Sequence, residues 1–218
     1  MRLRPFHLAI TFLLSLLLAS PALANTVQLT YVQGTGSGIG GGAVFPYAVY
    51  VNNSSTYTFV LCDSYDNTIR QGETWTATVS PFLKGIQTSF FGPSMTLDYK
   101  AAGLIFKAMM AGQISATNAS WAVWGLFSTN AQATSQFALT GGAATDATYL
   151  ALAQTAPNSA YNGLVLYTPV AGTQSWGGTP QEFIGYTCSP VPEPSTLMFM
   201  GTGLIGLAGM VRRKMGRA

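Results

Sequence analysis

A long uncharged run near one end, Leu197 to Val211, does most to limit how this chain can fold, because it suits a membrane rather than a surface in water. Pro192, Glu193 and Pro194 stand ahead of it. Two prolines so close together cannot be helix interior, since each lacks an amide donor and restricts the residue before it, so the triplet reads as an extended, accessible linker. From Ser195 to Val211 the chain can build about 26 Å of helix at about 1.5 Å per residue, barely a bilayer core. Gly201, Gly203, Gly206 and Gly209 suit close packing against another membrane helix. Arg212, Arg213, Lys214 and Arg217 follow. The positive-inside rule keeps such a cluster in the cytoplasm, which places everything before Pro192 on the other side.

The opposite end agrees. Arg2 and Arg4 form a charged start, Leu8 to Ala19 an apolar stretch, and Ala22-Leu23-Ala24 an A-x-A site, the pattern of a cleaved secretory signal. Ala22 and Ala24 are the small residues read by signal peptidase, and the mature chain is expected to begin at Asn25. The competing reading, an N-terminal anchor left in place, is disfavoured by the short apolar stretch and the small residues after it. The expected organisation is a signal peptide over 1–24, an extracytoplasmic domain over 25–190 and a tail over 191–218. Within the tail lie a motif at 191–195, a transmembrane helix at 195–211 and a basic end at 212–218.

This tail resembles a PEP-CTERM sorting signal, the Gram-negative counterpart of the LPXTG sortase tag. The resemblance rests on Val191, Pro192, Glu193, Pro194 and Ser195, on the apolar helix Leu197 to Val211, and on the Arg-rich end Arg212 to Arg217. It implies recognition by an exosortase, a membrane-embedded cysteine transpeptidase that cuts near the motif and discards the helix. It further implies an inner-membrane intermediate and delivery to the outer surface or extracellular matrix of a Gram-negative bacterium. A permanent single-span anchor and a Pro-rich stalk are the alternatives.

Between the two ends the charge is low. Arg70, Lys84, Lys100 and Lys107 face Asp63, Asp66, Glu73, Asp98, Asp146 and Glu182, 4 minus 6, a net charge of −2. The basic balance of the whole chain therefore comes from its targeting ends, and no basic patch is available for nucleic acid. Alternation predicts strands: Val27, Leu29 and Tyr31 share a face, as do Tyr57, Phe59 and Leu61, and Trp75, Ala77 and Val79 oppose Thr74, Thr76 and Thr78. Tyr47 to Val51, Gly163 to Thr168 and Glu182 to Thr187 are further strand candidates. The middle changes period. Asp98 to Ala111 has Ala, Leu, Phe and Met at helical density, and Asn118 to Ser128 carries Trp121, Trp124 and Phe127 at three-residue steps, with Thr117 or Asn118 as N-cap. The aromatic stripe reads as core packing. The expected fold is α+β and β-rich, an antiparallel β-sandwich or barrel-like domain with a small helical insertion at about 98–128, plus the C-terminal transmembrane helix.

Several chemistries are excluded by what the domain lacks. The only histidine, His7, lies in the signal peptide, so Ser-His-Asp and Cys-His catalysis and His-ligated zinc are unavailable to the mature chain. Gly36-Ser37-Gly38-Ile39-Gly40-Gly41 fits G-x-G-x-x-G in letters, but Phe45-Pro46-Tyr47 and Asn52-Asn53-Ser54 interrupt the helix such a site needs, leaving a flexible loop. Asp63, Asp66 and Asn67 do not have the spacing of an EF-hand loop and read as a surface turn. No catalytic residue, metal site or cofactor is expected; a pair of carboxylates acting on a glycan is the least favoured functional alternative.

Two cysteines remain. Cys62 closes one strand-like run and Cys188 follows another, in a compartment where disulfides persist. A bond between them would enclose most of the domain and contribute about 4 to 5 kcal/mol in the chain-entropy model; two free thiols are the alternative. Around Cys62 a second resemblance begins. Leu61-Cys62-Asp63, Gly72 to Ala77 and Trp121 to Phe127 are distantly similar to thioester adhesin domains, where a Cys after a strand joins a Gln ahead of an Ala-Ile-Trp run. Ser120 stands at the position of that Gln. The tag resemblance implies a non-enzymatic surface or matrix protein associated with exopolysaccharide or biofilm, with signal peptidase, an exosortase and a polysaccharide as partners. A surface adhesin is the alternative.

Overall fold

The computed structural model describes residues 25–34 and 47–187. Its strands are β1 (Asn25–Gly34), β2 (Tyr47–Val51), β3 (Tyr57–Cys62), β4 (Thr74–Pro81), β5 (Leu164–Pro169) and β6 (Phe183–Tyr186). All pairings are antiparallel, and the sheet closes as β1-β2-β3-β6-β5-β4, with β4 returning to β1. Closure leaves no row of unpaired amides along an edge. The expected β-rich α+β fold is thus a barrel rather than a sandwich.

Alternation explains which residues fill it. Leu29, Tyr31, Tyr47, Val49, Val60, Cys62, Trp75, Ala77, Val165, Tyr167 and Phe183 pack together inside the barrel. Tyr57, Phe59 and Leu61 do share a face, but it is the outer one: Leu61 is covered by helices, whereas Tyr57 and Phe59 are exposed. The β2 to β3 connection begins with Asn52 at φ 52° and Asn53 at φ 55°, left-handed values that asparagine tolerates better than most residues. Asn52 also accepts the Gln28 amide at 2.9 Å and donates its own amide to the Gln28 carbonyl at 2.8 Å, tying the turn to β1.

Helices fill the connection from β4 to β5. They are α1 (Phe82–Gly85), α2 (Thr96–Met110), α3 (Ala116–Phe127), α4 (Thr129–Gln132), α5 (Ser135–Leu139) and α6 (Gly142–Thr155), with short 3-10 turns at Ile86–Thr88, Pro93–Met95 and Asn158–Tyr161. The helical part is therefore larger than the expected insertion at about 98–128. The added helix, α6, is rich in Ala and Thr and buries only Gly142, Asp146 and Ala153, so it offers little apolar stripe to read. The N-cap of α3 is Ser115, whose hydroxyl accepts the Asn118 amide at 3.1 Å, in place of Thr117 or Asn118.

A second core lies between helices and barrel wall. Phe82, Tyr99, Ile105, Phe106 and Val123 pack with the outward-facing Leu61, Leu164, Leu166 and Ile184. α3 serves both cores. Ala119, Ala122, Val123 and Leu126 join the helical one, while Trp121 and Trp124 join the barrel cluster, their rings perpendicular at 5.0 Å. The aromatic stripe is core packing, as its period suggests. Among the described residues no helix is long and apolar enough to cross a membrane, and the helix expected at 195–211 lies outside them.

Candidate functional site

The register of β3 and β6 creates the most unusual chemistry in the domain. Cys62 sits opposite Phe183, so Asp63, the residue after β3, lies beside Glu182, the residue before β6. Their backbones meet through the Asp63 amide and the Glu182 carbonyl at 3.4 Å. Both side chains are wholly buried. Because Leu61 and Ile184 point outward from the barrel, Asp63 and Glu182 point outward too, into the layer that α2 covers.

Donors converge on Glu182. The Tyr99 hydroxyl from α2 donates to Oε1, while the Thr168 hydroxyl from β5 and the Phe90 amide, the latter at 3.0 Å, donate to Oε2. Ser64 joins the two acids: its hydroxyl donates to Asp63 Oδ1 at 2.7 Å and accepts the Glu182 amide at 3.1 Å. Asp63 Oδ2 has no donor. Burial first, and the Glu182 charge second, hold the Asp63 carboxyl well above the usual carboxylate range, with the Ser64 hydrogen bond working the other way. Glu182 thus collects three donors where Asp63 has the Ser64 hydroxyl alone, which suits a proton held on the raised Asp63 carboxyl. Burial, then the two acids, also push the Tyr99 hydroxyl upward, so it stays a donor.

Asp63 is thus no surface turn residue. The chain turns back at once and is stitched to the approach to β6: Asn67 Nδ2 donates to the Pro180 carbonyl at 3.3 Å and Gln181 Nε2 to the Asn67 carbonyl at 2.6 Å. Asp66 does face solvent, where it accepts Asn130 Nδ2 at 2.8 Å. A pairing across more than a hundred residues leaves no trace in local sequence. Glycan hydrolysis needs two carboxyls that flank a sugar bond; this pair, sealed beneath α2, cannot flank one. Among the described residues no group of His, Cys, Asp and Glu is placed to hold a metal ion.

Cys62 is a buried free thiol. Burial, and after it Asp63, push its ionisation upward, while the Ser64 amide at 3.3 Å from Sγ opposes the shift. Such a thiol is a poor nucleophile. Ser120 is buried in α3, its hydroxyl donating to the Ala116 carbonyl at 3.0 Å. Cys188, the partner expected for Cys62, lies outside the described residues. Ala22, Ala24, Val191 to Ser195, Arg212, Arg213, Lys214, Arg217 and the Gly36 to Gly41 loop also lie outside the described residues.

A second buried acid sits among the helices. Asp146 of α6 packs so closely on α3 that a Cβ at Gly125 would stand 2.9 Å from its Oδ2, and its Oδ1 has no donor. Burial first, then Asp98 on α2, raise its pKa from 3.8 to about 7. The folded state therefore holds this proton more tightly than the unfolded chain. Its contribution is full below about pH 4 and is lost as pH rises toward about 7. Asp146→Asn is expected to flatten thermal stability between those limits and to raise Tm by roughly 2–8 °C at about pH 8. An unchanged pH slope in melting curves would contradict this assignment.

Residues 190–214 match the PEP-CTERM protein-sorting motif. The matched segment contains Val191 to Ser195, the apolar run and the first of the basic residues. No curated protein matches the chain. Among solved structures, the N-terminal thioester domain of a surface protein from Clostridium perfringens is similar over 74% of this chain and 98% of its own, at 14% identity and a TM-score of 0.40. It is the kind of domain that the segments around Cys62 and Trp121 distantly resemble, but the likeness is too slight to carry residue roles across.

Proposed function

We propose that this is an exported protein of the cell surface or extracellular matrix of a Gram-negative bacterium, delivered by exosortase-type processing and acting there without catalysing a reaction. The sorting motif at 190–214 carries the reading. Signal peptidase would cut after Ala24. The helix at 195–211 would then hold an inner-membrane intermediate, with Arg212, Arg213, Lys214 and Arg217 in the cytoplasm, until cleavage near Pro192 to Pro194 frees the domain. Association with the exopolysaccharide or biofilm layer is its expected role. The sealed carboxyl pair and the thiol raised by burial support a binding or structural part rather than a catalytic one. Adhesion, on this reading, is non-covalent.

Mass spectrometry of the protein's termini in its host tests the route. The surface-exposed form is expected to begin at Asn25 and to end near the motif, without Arg212 to Arg217. Glu193→Ala is expected to leave the tail attached and the protein in the membrane fraction. A surface-exposed form that still extends through Arg217, in cells with active exosortase, would overturn the proposal.

A further inference from the structure

β1, β2, β3 and β4 contain no Asp, Glu, Lys, Arg or His. Their outer face is nevertheless solvated over much of its area, and protein surfaces ordinarily mix both charges. The helices cover a different part of the wall, at Leu61, Leu164, Leu166 and Ile184.

The register orders what this uncharged face displays. Thr74 pairs with Thr30, Thr30 with Tyr50, and Tyr50 with Tyr57, one row across four strands. At about 4.8 Å between neighbouring strands the row follows the curved barrel wall for roughly 15 Å, so an occupant in contact with both ends must bend around it. Tyr57 is 53% exposed and Phe59, beside it in the next row, 39%, their rings in edge contact at 5.2 Å. At the other end, Ser175 donates its amide to the Thr74 carbonyl at 2.8 Å and accepts the Thr74 amide at 3.0 Å. That clasp brings up Trp176, half exposed, with the Arg70 guanidinium 5.3 Å from its ring.

We propose that this band binds a neutral polysaccharide chain, with pyranose C–H faces against Tyr57, Phe59 and Trp176 and sugar hydroxyls exchanging hydrogen bonds with Thr30 and Thr74. Exposed rings at both ends supply apolar faces, and threonine hydroxyls both donate and accept, as sugar hydroxyls do. The four strands complement an uncharged chain and carry no counter-charges for a polyanion, whereas Arg70 stands beside Trp176 at one end. The assignment rests on the surface reading above and deepens it.

Affinity electrophoresis of the full-length protein through gels containing dextran, mannan or hydroxyethyl cellulose, with alginate as the charged comparison, tests it. At least one neutral polymer is expected to retard the protein. The Tyr57→Ala/Phe59→Ala double variant is expected to bind about tenfold more weakly, the order expected for two lost rings, with an unchanged melting temperature. Trp176→Ala is expected to weaken binding from the other end. Retardation by none of the neutral polymers, by alginate alone, or equally in wild type and both variants would overturn the band. So would light scattering in which the double variant dissociates a dimer, since the face would then bind a second copy. Terminus mapping separates the two readings: correct processing without glycan binding removes this inference and leaves the sorting route standing.

Discussion

Glu182→Ala is expected to lower stability by about 3–5 kcal/mol, the largest loss available from a single polar side chain in this domain. The change removes the acceptor of Tyr99, Thr168 and Phe90 together. Each buried donor left without a partner costs about 1–3 kcal/mol. Since a domain of this kind is stable by only about 5–15 kcal/mol, the variant should sit close to unfolding. Its urea midpoint should fall sharply, with the slope of the transition unchanged. Glu182→Gln retains one carbonyl acceptor and should lose less than half as much.

Asp63→Asn is expected to respond to pH in the same sense as Asp146→Asn. The Asp63 carboxyl is raised in the folded state, so its contribution is full below the usual carboxylate range and is lost as pH rises through the folded value. An asparagine there can still accept from Ser64 without ever ionising. It should be nearly neutral in mild acid and more stable than wild type at about pH 9. If Asp63→Asn proved as damaging as Glu182→Ala in alkali, the proton assignment would be wrong.

Trp75→Ala is the second large effect, at about 3–5 kcal/mol. Trp75 lies almost wholly buried inside the barrel, 6.0 Å from the Phe183 ring. Its indole N–H has no partner, so the loss is one of packing and cavity rather than of a hydrogen bond. Trp75→Phe, which retains an aromatic ring and discards the unpartnered donor, should cost less than half as much. Thr76→Ala, one residue away on the outer face, should change the thermal midpoint little. Comparable losses for Trp75→Ala and Thr76→Ala would mean that the inward and outward faces of β4 had been confused.

Much of the architecture was legible because a strand writes its own burial pattern. Trp75 and Ala77 between threonines, or Leu29 between Gln28 and Thr30, give the inward face directly. Trp121 and Trp124 likewise announced their burial by helical spacing. α6 was silent, since Ala and Thr repeated along a helix draw no stripe, and Asp146, its most consequential residue, looks in sequence like any surface acid.

Sequence by itself carried the sorting motif at 190–214 and most of the strand pattern of this protein. Pro-Glu-Pro, the apolar run and the basic residues after it are contiguous in the chain, so a motif made of them is legible without the fold. Tertiary structure alone decided the fate of the acids and the thiol. Closing the sheet placed β6 beside β3 and thereby buried Asp63 against Glu182, with Cys62 on the inner face of the same strand end. The physical reason is that ionisation, hydrogen bonding and reactivity depend on what surrounds a group, and much of that surrounding comes from elements far apart in the chain, as Ser64 and Glu182 do at a separation of 118 residues.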